Sequence, residues 1–228
     1  MGESATRLHE DVLRPLQGPR VSYAVVGHEQ RLAAATDLAH YLDAVVTIDD
    51  GGRGPDANHL KAWDMTATLN SEWCAVIEDD ALPVDGFLAQ AEMALSVAPA
   101  PVISLYLGKG KPRFHQPHIP AALAAADAAG AHWILSNHML HAVAVAIRTE
   151  LRQDWLDWAS SSGDPIDQRM GKWCQRRGHT IAYCTPSLVN HADGPTLVEH
   201  RDRKPRDMPR VAWRTGTRER WNSRSVPL

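Results

Sequence analysis

The stretch WCAVIEDDALP, Trp73 to Pro83, runs a strand-like apolar segment, Cys74-Ala75-Val76-Ile77, straight into three consecutive carboxylates, Glu78, Asp79 and Asp80. Like charges at that spacing repel, and burying one without a partner costs stability or shifts its pKa. The tip is therefore either wet or bound to something cationic. Acids at a strand end suit a divalent ion such as Mg²⁺ or Mn²⁺. Such an ion takes one or two protein carboxylates and completes its shell with water and substrate phosphates. A solvated acidic turn is the plain alternative. The apolar strand before the acids, and the Ala81-Leu82-Pro83 step into a helix after them, favour the ion.

Outward from this tip, strand and helix signals alternate. VSYAVVG (Val21 to Gly27) reads as a buried parallel strand. Glu29 to Asp43 carries Leu32, Ala35, Leu38, Ala39 and Leu42 at helical spacing. AVVTI (Ala44 to Ile48) is a second strand, closed by the turn Asp49-Asp50-Gly51-Gly52. Asp56 to Leu69 and Val84 to Val97 read as helices, and PVISLYL (Pro101 to Leu107) as another strand. This alternation predicts an α/β fold, a mostly parallel sheet flanked by helices. Ligands of such sheets gather beyond the carboxyl ends of the strands. The turn after Gly27, the Asp49-Asp50 turn and the acidic tip would all lie at that edge.

The second half is less regular. Gly108 to Pro120, rich in glycine, proline and cations, is long enough to be an active-site flap. Ala121 to Ala131 predicts a helix and HAVAVAI (His141 to Ile147) an apolar run. Helices follow over Thr149 to Ser160 and Asp164 to Gly178, the latter with Asp164 as N-cap and Pro165 at the first helical position. Thr180 to Val189 is a late strand broken by Pro186.

A chain of 228 residues suits one domain with an appendage. It contains no run of eighteen apolar residues, so no membrane span is expected. The opening MGESATRLHEDVLRPL reads as a short amphipathic helix. Cys74, Cys174 and Cys184 are too scattered for a zinc pattern or a disulfide framework, which predicts reduced core thiols in a cytoplasmic protein. The twelve histidines show no His-Glu-x-x-His spacing, which argues against a zinc hydrolase. Trp133, Trp155, Trp158 and Trp173 suit core packing or stacking on a sugar. The net charge of −3 is uneven: residues 199–228 hold nine basic and four acidic residues, leaving −8 on residues 1–198. That divides the chain into an acidic body, 1–198, and an arginine-rich tail, 199–228. The tail would meet phosphate, another acidic partner or the body itself.

AVIEDDALP (Ala75 to Pro83) resembles the metal-binding Asp-x-Asp-type motif of nucleotide-sugar glycosyltransferases of the GT-A fold, in a Glu-Asp-Asp form. The nearest resemblance is to lipopolysaccharide-type glycosyltransferases. In these a helix bearing a histidine and a tryptophan precedes the acidic strand; here it reads NHLKAWDMT, with His59 and Trp63. PSLVNHADGPTLV (Pro186 to Val198) resembles the late Pro-Ser-Leu-Val-x-His segment of that family, and DPIDQRMGKWCQRRG (Asp164 to Gly178) its acceptor-side helix. The similarity spans roughly residues 21–200, and the order and spacing of its short motifs are more specific than any one of them.

The resemblance implies a GT-A-like single domain that binds Mn²⁺ or Mg²⁺ through Asp80 and His191. Glu78 and Asp79 would face the donor ribose or the metal's water, and His28, Arg31, Asp50 and His59 would complete the donor side. A sugar would leave a nucleoside diphosphate, a UDP-sugar by resemblance, as an oxocarbenium-like centre while the metal neutralises the departing diphosphate. An acceptor hydroxyl needs a base if configuration inverts. Asp167, in the first turn of its helix, is the candidate. The acceptor could be a glycan, a protein or modified DNA. Arginines interleaved with Trp213 and Trp221 admit a variant acting on hydroxymethylated DNA bases, and a rival of another class, a nucleic-acid-binding module with an inactive α/β body. A metal-dependent nucleotidyltransferase also ends strands in acids.

Overall fold

Apolar runs flanked by amphipathic ones fold here as alternating strands and helices. In chain order they are β1 (Val21–His28), α1 (Leu32–Leu42), β2 (Val45–Asp49), α2 (Pro55–Met65), β3 (Trp73–Glu78), β4 (Ala81–Pro83), α3 (Phe87–Ser96) and β5 (Val102–Ser104). There follow α4 (Ile119–Ala129), β6 (Trp133–Ser136), β7 (Ala144–Arg148), α5 (Arg152–Ser160), α6 (Ile166–Arg177), β8 (Ile181–Cys184), β9 (Val189–His191) and β10 (Ser225–Pro227). This computed structural model describes residues 18–66, 71–110, 112–194, 197 and 208–228. The amphipathic helix expected at the N-terminus and the boundary expected at 198/199 lie outside the described residues.

Among the described residues, eight strands form one sheet in the order β10-β6-β8-β5-β7-β3-β1-β2, and β4 with β9 forms a second. Four of the seven pairings in the large sheet are parallel: β1 with β2, β1 with β3, β5 with β8 and β6 with β10. The fold is thus an α/β domain with a mostly parallel sheet flanked by helices. β7 inserts antiparallel between β3 and β5.

Alternation along the strands sends side chains to two cores. Tyr23, Val25, Trp73, Ala75 and Ile77 face the side covered by α1 and α3, where Leu38, Leu42, Phe87 and Leu95 are buried. Ala24, Val26, Cys74 and Val76 face the side covered by α2, α4, α5 and α6. There Trp63 meets Trp155 at a centroid distance of 6.2 Å, and Trp155 meets Trp173 at 5.6 Å. Trp133, Trp155 and Trp173 are completely buried, so they are core residues and not sugar platforms.

The N-cap expected of α6 and the base-stacking role admitted for Trp221 are corrected. Pro165, not Asp164, is the N-cap of α6. The first helical N–H, of Ile166, donates to Asp56 Oδ1 of α2 at 3.0 Å, and the Asp164 carboxylate instead receives Lys172 Nζ at 2.7 Å. The described part of the basic tail packs on the body. β10 extends the sheet beside β6, Ala212 bridges Gly108, and Arg214 forms a two-pronged ion pair with Asp127. Trp221 is buried against Trp133, with centroids 5.5 Å apart, and so is not a base-stacking surface.

Candidate functional site

The carboxyl ends of β1, β2 and β3 come together because the three strands run parallel in tight register. His28 is level with Asp49, and Val26 with Glu78. Gly27 permits the closure. A Cβ there would lie 2.7 Å from Ala35 Cβ, 2.9 Å from Ile48 Cδ1 and 3.5 Å from Asp79 Oδ2.

Beyond Glu78 the chain turns through Asp79 and Asp80 into β4, which pairs with β9 so that Ala81 faces His191. The Ala192 N–H donates to the Asp80 carbonyl at 2.8 Å. This short ladder carries a histidine distant in sequence to the acidic tip. His191 Nε2 stands 3.3 Å from Asp80 Oδ1, and both side chains are buried. Among the described residues, Glu78, Asp80 and His191 are the group of three whose ligating atoms lie within 4.8 Å of one another.

The other groups at the tip are largely partnered. Asp79 Oδ2 accepts the His28 N–H at 2.8 Å, and Asp79 Oδ1 accepts Arg31 Nη1 at 3.0 Å. The same Arg31 nitrogen reaches Asp80 Oδ2 at 2.5 Å. His59 Nε2, from α2, is 3.2 Å from Glu78 Oε1. Arg31 and the two histidines are thus the protein's own compensation for three crowded acids, and the compensation is incomplete. Asp80 Oδ1 is buried with no aligned hydrogen bond among the described residues, despite its closeness to His191, and the same holds for His59 Nδ1 and His191 Nδ1. Buried polar atoms are nearly always satisfied, and leaving one unsatisfied is costly.

Electrostatics separates the acids. Burial, and next the charge of Glu78, raises the pKa of Asp80 against the pull of His191 and Arg31. Burial would raise Glu78 too, but the His59 hydrogen bond and the positive fields of His59, His191 and Arg210 hold it below the usual carboxylate range. Arg210 comes from the tail. Its N–H donates to Asp193 Oδ1 at 3.2 Å, and its carbonyl accepts the Tyr106 hydroxyl at 2.9 Å. His141, edge-on to Tyr106 at 5.1 Å, is pushed down to about 4 by burial and is therefore neutral at neutral pH.

Asp167 lies in the first turn of α6, where its Oδ1 accepts the Gln168 N–H at 2.7 Å. Burial first, then the charges of Glu78 and Asp56, raise its pKa, so it shares the field of the acidic tip. His28 Nδ1 accepts the Gln30 N–H at 3.1 Å and so starts the turn that presents Arg31. Asp50 is exposed, its Oδ1 accepting the Gly52 N–H at 3.0 Å. Its neighbour Asp49 is the buried one and ties the N–H groups of Gly51 and Arg53, each at 3.1 Å.

Sequence reasoning passed over Asn58. Wholly buried beside His59, it donates to the Gly27 and Thr47 carbonyls at 3.0 and 3.3 Å and accepts from Thr47 Oγ1 at 2.8 Å and Arg53 Nη1 at 3.1 Å. It locks α2 to the ends of β1 and β2. A polar residue amid the helix's inward positions was the available signal. Arg210 and His141 were also missed, and neither stands in a motif.

No protein family and no curated protein sequence matches the chain. The lipopolysaccharide-type resemblance therefore rests on the motifs alone. Solved structures with partial likeness include the A197 protein from STIV, at 13% identity and TM-score 0.45, covering 88% of this chain and 97% of that one. A second is a mutant Drosophila β1,4-galactosyltransferase 7 in complex with manganese, UDP-Gal and xylobiose, at 9% identity and TM-score 0.43, covering 77% and 71%. A third is the inositol-1-phosphate CTP transferase from T. maritima, at 9% identity and TM-score 0.41, also covering 77% and 71%. Likenesses this remote assign no activity. No helix among the described residues is long and apolar enough to cross a membrane.

Proposed function

We propose that the chain is a metal-dependent glycosyltransferase that moves a sugar from a nucleoside diphosphate, a UDP-sugar by resemblance, to an acceptor hydroxyl. One observation carries this reading: Glu78, Asp80 and His191 bring their donor atoms within 4.8 Å at the carboxyl edge of the sheet. Two carboxylates and an imidazole suit Mn²⁺, and Mg²⁺ less closely because of the nitrogen. Asp80 and His191 would hold the ion, with Glu78 close enough to join them or to orient its water. When bound, the ion would supply positive charge for the departing diphosphate.

The chain's own residues would do the rest. Arg31 holds Asp79 and Asp80 in place and presents its cation at the same edge. His28 and Asp50 would meet the nucleoside at this edge, with Asn58 holding α2 against the ends of β1 and β2 behind them. Asp167, whose raised pKa makes it a stronger base than an ordinary aspartate, would accept the proton of the acceptor hydroxyl.

Incubation with Mn²⁺ and a panel of nucleotide sugars tests this. Release of the nucleoside diphosphate, dependent on the ion and lost in Asp80→Asn, supports the reading. Release of pyrophosphate from a nucleoside triphosphate and a sugar phosphate would replace it with nucleotidyl transfer. Salt-dependent DNA binding without nucleotide turnover would replace it with the binding module.

A further inference from the structure

Away from the acidic edge, three histidines line one cleft. His115 and His118 lie on the turns leading into α4, and His138 follows β6. With Phe114 and Asn137 they line an open cleft of about 400 Å³. The cleft stands at the opposite end of the sheet from the acids. Ser136, on its wall, is level with Ile181, Ile181 with Val102, Val102 with Ile147, and Ile147 with Cys74 near the start of β3. It is therefore not an extension of the acidic site.

The His115 and His138 rings have centroids 4.6 Å apart and planes tilted by 49°. With metal–nitrogen bonds of about 2.0–2.1 Å, two imidazoles in adjacent coordination positions place their centroids roughly 4.5–5 Å apart. His118 follows His115 by three residues on the same turns, in the sequence HQPH. Burial, then the neighbouring His138 and His118, hold His115 below the ordinary histidine range, so its lone pair is available at neutral pH. None of the side chains lining the cleft is acidic. Imidazole nitrogens favour Zn²⁺, Ni²⁺ or Cu²⁺ over Mg²⁺ or Mn²⁺.

We propose that His115, His118 and His138 form a second metal site, selective for an imidazole-seeking ion such as Zn²⁺, Ni²⁺ or Cu²⁺, that ties the turns before α4 to the connection after β6. Among the described residues only the acidic trio has its donor atoms already within 4.8 Å, so uptake turns His118 and His138 inward. Both are exposed, and surface side chains change rotamer readily.

The test is Cu²⁺ titration of the untagged chain carrying Asp80→Asn, which removes a ligand of the acidic site, followed by calorimetry and electron paramagnetic resonance. One equivalent should bind at micromolar concentration or tighter, with hyperfine splitting from two or three nitrogens. His115→Asn or His138→Asn should weaken it by about tenfold or more. His118→Asn, at an exposed position, should weaken it too and guards against a packing effect at His115. Absence of binding, or binding unchanged in the His115→Asn/His138→Asn double variant, overturns the proposal.

Discussion

The two ends of the sheet hold their ligating side chains in opposite ways. At the acidic end, Asp80 and His191 are 8% and 2% exposed and are fixed by the pairing of β4 with β9. At the histidine end, His118 and His138 stand exposed on turns. A strand-pinned cluster is ordered when the chain folds, so a ligand meets donors already in place. Burial also makes the arrangement demanding, because every charge there needs a partner. An exposed cluster makes no such demand on the fold and leaves the ordering to its ligand.

Asp167→Asn should show the largest effect at the acidic end, a fall in transfer of about 10²–10⁴-fold. Stability at neutral pH should stay equal or rise. The folded pKa of Asp167 lies above its unfolded value, so the ionised form costs stability, a cost relieved as pH falls through the folded pKa. Thermal melting and turnover on the same sample check both halves. The pH–rate profile of the wild type should accordingly rise at a pH above the ordinary aspartate range of about 3.9.

Arg31→Ala removes the partner that two buried acids share. With the guanidinium 22% exposed, the expected loss is about 1–3 kcal/mol in denaturant unfolding. Gly27→Ala forces a Cβ to 2.7 Å from Ala35 Cβ and 2.9 Å from Ile48 Cδ1 and should cost about 1–3 kcal/mol in denaturant unfolding. His138→Asn, at the opposite end, should change stability by less than about 0.5 kcal/mol. A loss there equal to that of Arg31→Ala would erase the distinction between the two ends.

Much of this was legible in the chain. The apolar runs Val21 to Gly27 and Trp73 to Ile77, each followed by helical spacing, fixed the parallel core, and the Glu78-Asp79-Asp80 tip marked the edge where function belongs. What was hidden is what depends on pairing between distant segments. HAVAVAI gives an apolar run but no direction, so the antiparallel insertion of β7 could not be read from it. β6 and β10 are four and three residues long, too short for periodicity to register. Arg31 was expected to face a donor, and nothing in its local sequence showed that the turn begun at His28 aims it at Asp79 and Asp80. His191 could be placed near the acids only by a motif, whereas the structure brings it there through the β4–β9 ladder.

The most direct measurement is Mn²⁺ binding to the wild type and to Asp80→Asn, by calorimetry and manganese electron paramagnetic resonance, with and without UDP. One ion bound by the wild type, more tightly in the presence of UDP, and lost in Asp80→Asn is the predicted result. Equal binding by both proteins, or none by the wild type even with UDP, would contradict the assignment of Glu78, Asp80 and His191 as a metal centre.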